Sequence, residues 1–138
     1  MTALVLDASV TMAWCFEESK SPFTDAALDA VRDDRAVVPA LWALEVANAL
    51  AVAERRGLVS SDKMRRFLDL LTTLPTEIHH HEPRSAFGDV LSLARAHKLS
   101  SYDAAYLELS RRSGLPLATL DASLRAAAKK ASARLFSA

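Results

Sequence analysis

Short apolar runs of strand length recur along the chain, each followed by a stretch of helix length. That alternation restricts the fold more than any other feature. Ala3-Leu4-Val5-Leu6, Ala36-Val37-Val38 and Pro116-Leu117-Ala118-Thr119-Leu120 are too short for helices and almost wholly apolar. A strand that is apolar on both sides is buried on both sides, which is the condition of a parallel sheet under two helical layers. Glu77-Ile78-His79-His80 offers a third strand in chain order, and Arg134-Leu135-Phe136 a last edge strand.

The intervening stretches carry helix signals. Asp7 or Ser9 caps a helix over residues 8–17, and Ser21-Pro22 opens one that runs to Asp33. Trp42, Val46, Ala49, Leu50 and Ala53 recur at helical spacing within 40–56, which Gly57 ends. Ser60 or Ser61 starts a helix that Pro75 breaks, Pro83 one to Lys98, Ser100 or Ser101 one to Arg112, and Asp121 a final one to Ala131. With 3 Gly and 5 Pro in 138 residues, little chain is left for irregular structure. The expectation is a three-layer α/β/α fold with a short, mainly parallel sheet, forming one domain over residues 1–138.

Composition narrows the function. The single cysteine, Cys15, excludes an intramolecular disulfide, and the expected compartment is the cytoplasm. Cys15 lies in the apolar run Met12-Ala13-Trp14-Cys15-Phe16 and reads as a buried small hydrophobe. The N-terminal segment lacks a basic region and is interrupted by Asp7, so a secretory leader is not expected, and no apolar run is long enough for a membrane span. Lys plus Arg and Asp plus Glu number 17 each, which argues against a protein that coats nucleic acid by charge alone.

The acids are placed where a parallel sheet puts its crevice. Asp7 directly follows the first strand and Asp121 the strand at 116–120, and ligands bind at the carboxyl ends of such strands. Asp103 lies in the first turn of the helix after Ser101. Glu45 sits among Leu41, Trp42, Leu44 and Val46, where a carboxylate without a partner is costly, and Asn48 follows on the same helical face. Asp7 and Asp121 also satisfy the simpler description of helix N-caps. Four carboxylates in one crevice repel one another, and a divalent cation removes that repulsion. An all-oxygen site without cysteine suits Mg2+ or Mn2+, ions that serve the attack of water on a phosphodiester.

Leu4-Val5-Leu6-Asp7-Ala8-Ser9, Leu44-Glu45-Val46-Ala47-Asn48-Ala49-Leu50, Ser101-Tyr102-Asp103-Ala104-Ala105-Tyr106 and Ala118-Thr119-Leu120-Asp121-Ala122-Ser123-Leu124-Arg125 resemble, in order, the four acidic blocks of the PIN domain. The wording of the third block is most similar to VapC-type toxins. The resemblance implies a Mg2+- or Mn2+-dependent endoribonuclease, the toxin of a type II toxin–antitoxin pair, with Asp7, Glu45, Asp103 and Asp121 around the metal. It implies supporting roles for Ser9, Asn48, Ser101 and Thr119, an RNA substrate, a cognate antitoxin and a homodimer. Some relatives carry a further acid just beyond the fourth, where this chain has Ser123 and Leu124.

Other features weigh less. His79-His80-His81 cannot all grip one ion from a strand, since successive side chains point to opposite faces. Arg55-Arg56, Lys63, Arg65-Arg66 and Arg111-Arg112 are candidates for RNA phosphate contacts but also fit a solvated helix face. Met12, Trp14, Phe16, Phe23, Trp42 and Leu50 look too bulky for a small interior, and an apolar groove for a helical antitoxin segment is expected there. Among competing functions, a dehalogenase-type phosphatase needs a second Asp where Ser9 stands. A phosphoacceptor receiver needs an Asp after its central strand, where Pro39 stands, and a late Lys. The alternative that remains is a non-catalytic PIN-like RNA- or protein-binding module.

Overall fold

The computed structural model describes residues 3–138, so the first two residues of the N-terminal segment lie outside it. Strands β1 (Leu4–Leu6), β2 (Ala36–Pro39), β3 (Thr76–His79) and β4 (Leu117–Ala118) form one sheet in the order β3-β2-β1-β4. Every pairing is parallel, with Val5 opposite both Val37 and Leu117. The helices are α1 (Ala8–Ala13), α2 (Pro22–Asp33), α3 (Leu41–Arg55), α4 (Ser61–Thr73), α5 (Pro83–Ser85), α6 (Leu91–His97), α7 (Ser101–Ser113) and α8 (Ala122–Lys130). The expected α/β fold with helices on both faces is therefore present.

Strand pleating sorts the core into two layers. Leu4, Leu6, Ala36, Val38 and Ala118 point into one cluster, with Val10 of α1, Val31 of α2, Val46 and Leu50 of α3 and Phe67 of α4. Val5, Val37 and Leu117 point into the other, with Leu93 of α6, Leu107 and Leu109 of α7 and Leu124 of α8. Alternating side chains of fully apolar strands thus feed both faces, as the unbroken apolar runs require. Among the described residues no helix is long and apolar enough to cross a membrane.

Several boundaries differ from expectation. α1 ends at Ala13 instead of 17, because Trp14 turns into the core and donates its indole N–H to the Thr24 carbonyl, 2.8 Å. The chain passes through a 3-10 turn at Glu17–Ser19 before Ser21 and Thr24 cap α2 reciprocally. The helix expected over 83–98 contains a π-helical turn, Ala86–Val90, between α5 and α6. β4 is shorter than 116–120, because beyond Ala118 the backbone meets side chains instead of a neighbouring strand: the Leu120 N–H goes to Ser9 Oγ at 2.9 Å. The tail at 134–136 makes a single parallel bridge, Leu117 to Leu135, and then departs so that Phe136 meets Phe23 edge-on at 5.8 Å.

The apolar groove expected from Met12, Trp14, Phe16, Phe23, Trp42 and Leu50 is not formed by them. Trp14 and Leu50 are buried, and the other four pack against the first core cluster. Helices on both faces of the sheet give these side chains more interior than the sheet alone provides. Trp42 also borders an open trough of about 670 Å3 between α3, α4 and β3, together with Leu68, Leu71 and Ile78.

Candidate active site

The chain order of the strands reverses at β1. Two crossovers carry the chain from β1 to β2 to β3 in one direction. The third returns it across the sheet to β4 on the other side of β1. The carboxyl ends of β1 and β4 therefore flank the switch point, where parallel α/β sheets open a crevice.

Asp7 leaves β1 and caps α1. It is only 5% exposed, and three donors surround its carboxylate. Oδ1 accepts from the Ser9 hydroxyl at 2.6 Å and from the Val10 N–H at 3.1 Å, and Oδ2 accepts from the Thr119 hydroxyl. Burial pushes this carboxyl up. The three hydrogen bonds pull against that rise, and the negative charge of Asp103 adds to it. Thr119 in turn accepts the Asp121 N–H at 3.0 Å. Ser9 and Thr119 thus splice the end of β1 to the end of β4 through the first acid.

The other acids approach from separate helices. Glu45, half-buried on α3, accepts the Tyr106 hydroxyl on Oε1 at 2.5 Å. Burial raises the Glu45 carboxyl, the Tyr106 hydrogen bond opposes that, and Asp103 and Asp7 raise it further. Asp103, half-buried in the first turn of α7, is raised by burial and then by Asp121, while the Ser100 hydrogen bond opposes. Asp121 is exposed and caps α8 through the Leu124 N–H at 2.9 Å. Asp103 accordingly feels or acts on all three of the others, and the structure brings the four acids into one electrostatic neighbourhood. Among the described residues no Lys or Arg forms an ion pair with any of them. Nor do three His, Cys, Asp or Glu side chains there stand as close as a closed metal cage requires.

The supporting residues divide. Ser9 and Thr119 touch Asp7. Asn48 is exposed on α3. Ser101 is exposed as the first residue of α7, and the cap falls to Ser100, whose hydroxyl accepts the Asp103 N–H at 3.1 Å. The capping position must precede the helix with extended backbone, and Ser100 has that conformation. Thr11 and Tyr106, which carry no signal of their own in the sequence, also touch the site. Thr11 donates to the Asp7 carbonyl at 2.8 Å and accepts the Trp42 indole N–H at 3.0 Å. Tyr106 stands three residues beyond Asp103, so helical spacing alone puts both on one face of α7. Of the histidines, His79 pairs with Glu77 and His81 with Glu108, away from this crevice. Cys15 is buried, and burial raises its thiol.

The four carboxylates fit a hard divalent ion by their chemistry. Each carboxylate oxygen offers two lone-pair positions. On Asp7, both positions of Oδ1 and one of Oδ2 are taken by donors, which leaves one on Oδ2. On Glu45, Tyr106 takes one position of Oε1 and Oε2 is free of it.

Residues 4–130 match the PIN domain family. The chain is 33% identical over 121 residues to Ribonuclease VapC3 of Pyrobaculum aerophilum, covering 88% of this chain and 91% of that protein. Its fold superposes on the crystal structure of PAE2754 from Pyrobaculum aerophilum with a TM-score of 0.69 and 25% identity, over 91% of this chain and 79% of that one. The chain belongs to the PIN-domain family, whose nucleases are metal-dependent hydrolases. Within that family it is a ribonuclease of the VapC type.

Proposed function

We propose that Asp7, Glu45, Asp103 and Asp121 hold Mg2+ or Mn2+, and that with it the chain hydrolyses phosphodiester bonds in RNA as the toxin of a type II toxin–antitoxin pair. The observation that carries this reading is the convergence of four carboxylates from four elements at the carboxyl end of the sheet, with three of them raised by burial and mutual repulsion and, among the described residues, no basic side chain paired to any. Such a cluster is unfavourable unless a cation completes it. An ion that keeps several of its own waters needs few protein ligands and no closed cage. When bound, it supplies a hydroxide nucleophile and neutralises charge on the phosphate.

The protein's own contribution is placement. Ser9, Val10 and Thr119 hold the Asp7 carboxylate in one orientation, with a lone pair of Oδ2 left over. The α7 N-terminus favours the negative charge of Asp103, and the α8 N-terminus that of Asp121. Asn48 and Ser101, both exposed, are assigned to the substrate side of the site. A cognate antitoxin, a homodimeric state, a cytoplasmic location and a single domain over 1–138 complete the proposal, supported by the likeness to Ribonuclease VapC3.

The test is cleavage of structured RNA with Mg2+ or Mn2+ by the wild-type chain and by Asp7→Asn. Cleavage by the wild type that EDTA and Asp7→Asn each abolish is expected. Cleavage surviving both would overturn the metal assignment. RNA or protein binding with no cleavage would favour the non-catalytic module.

A further inference from the structure

Tyr106 is the largest fully buried side chain of the molecule as described, 1% exposed, yet its one polar atom faces the candidate active site. The hydroxyl reaches Glu45 Oε1 at 2.5 Å across 61 residues of sequence and ties α7 to α3 by a side-chain hydrogen bond. Asp103 and Tyr106 share a face of α7, so the same helix carries one acid and fixes the position of another.

We infer that Tyr106 is a positioning residue for Glu45, holding Oε1 so that Oε2 faces the other three acids and is presented to the divalent ion. This rests on the four-acid reading of the site and deepens it. Glu45 is half-buried and has no basic partner among the described residues, and the charges of Asp103 and Asp7 repel it. Left to itself, a flexible side chain in that setting turns outward to water. One strong donor on one oxygen opposes the turn, because a hydrogen bond to a carboxylate is short and about twice as strong as a neutral one. The phenol donates one proton only, so the second oxygen remains uncommitted to it. A lysine in this place would neutralise Glu45 and compete with the ion, whereas a neutral phenol holds the carboxylate without cancelling its charge. Partners that orient metal ligands in this way are typically worth about 10- to 100-fold in metal affinity.

The experiment is calorimetric titration of Mn2+ into the full chain without RNA, for wild type, Asp7→Asn, Tyr106→Phe, Glu45→Gln and the double variant Tyr106→Phe/Glu45→Gln. Tyr106→Phe keeps the buried ring and removes only the hydroxyl. Its fold is checked by circular dichroism, and Tyr106→Met gives the same comparison if Tyr106→Phe does not fold. Tyr106→Phe is expected to weaken Mn2+ binding about tenfold or more, and to add little further weakening once Glu45→Gln is present. Two outcomes overturn the inference while leaving the four-acid site intact, provided Asp7→Asn still abolishes binding: Tyr106→Phe binding Mn2+ like wild type, or weakening it equally with and without Glu45→Gln. A wild-type chain that binds no Mn2+ overturns both the site and the role of Tyr106.

Discussion

The Thr119 hydroxyl donates to Oδ2 of Asp7 across 112 residues of sequence, and the hydroxyl oxygen itself accepts the backbone N–H of Asp121. One side chain therefore sets the first acid and the backbone of the fourth against each other. Thr119→Val keeps the shape and removes both interactions. It leaves a buried carboxylate short of a donor, and a loss of about 1–3 kcal/mol of stability is expected. Thr119→Ser is expected to lose much less. Urea denaturation of the two variants checks this; equal stability of Thr119→Val and wild type refutes it.

Removing charge from the site should trade activity for stability. Asp103 is raised first by burial and then by Asp121. Asp103→Asn and Asp121→Asn keep shape, and Asn at 121 remains a good N-cap for α8. In EDTA both variants are expected to melt at or above the wild-type midpoint and neither to cleave RNA. Mn2+ should stabilise the wild type by about 2.7 kcal/mol at one hundred times its dissociation constant, and the variants by less. If both variants melt well below wild type in EDTA, the two acids serve the helix N-termini, Asp121 as a cap and Asp103 as a first-turn charge, and nothing more.

Glu108 predicts an acid limb of stability that is independent of the four-acid cluster. It is 5% exposed on α7 and accepts Arg112 Nε at 2.8 Å and a ring nitrogen of His81 at 2.7 Å. Burial alone would raise its carboxyl, but these two partners outweigh burial and hold it below the ordinary glutamate value of 4.5. A carboxyl that binds its proton less readily when folded stabilises the fold fully above the unfolded value. That contribution disappears as the pH falls through the folded value. Glu108→Gln is expected to flatten the fall in stability below about pH 4.5. It should cost about 1–2 kcal/mol at neutral pH, less than a fully buried pair because Arg112 is half-exposed. Denaturation midpoints from pH 3 to pH 7 would settle it; parallel curves for variant and wild type reject the role.

Thr11 links Asp7 to the helix that carries Glu45. It donates to the Asp7 carbonyl and accepts the Trp42 indole N–H. Thr11→Val leaves that indole without its acceptor and is expected to cost about 1–3 kcal/mol, with Thr11→Ser largely restoring the wild type. Thermal melting of the pair is the check, and a Thr11→Val midpoint equal to that of Thr11→Ser would exclude the relay.

The sequence by itself determined the parallel α/β class, because runs such as Leu4-Val5-Leu6 have no polar face to offer water. It also located Asp7 and Asp121 at strand ends, where the connection from strand to helix is local and short. Both acids are N-caps, as local chemistry requires, but capping does not account for the burial of Asp7 or its link to Thr119. Local signals failed where distant groups competed for the backbone. β4 stops at Ala118 because Ser9 takes the Leu120 N–H, and α1 stops at Ala13 because Trp14 is drawn to Thr24. Six bulky residues look surplus in the sequence because composition says nothing of how much interior two helical layers create. Only the tertiary structure paired Tyr106 with Glu45, brought Asp103 within electrostatic reach of Glu45, Asp7 and Asp121, and engaged His81 with Glu108. Each of these joins residues far apart in the chain, and such pairing is decided by how helices pack over a sheet, which no local pattern of residues records.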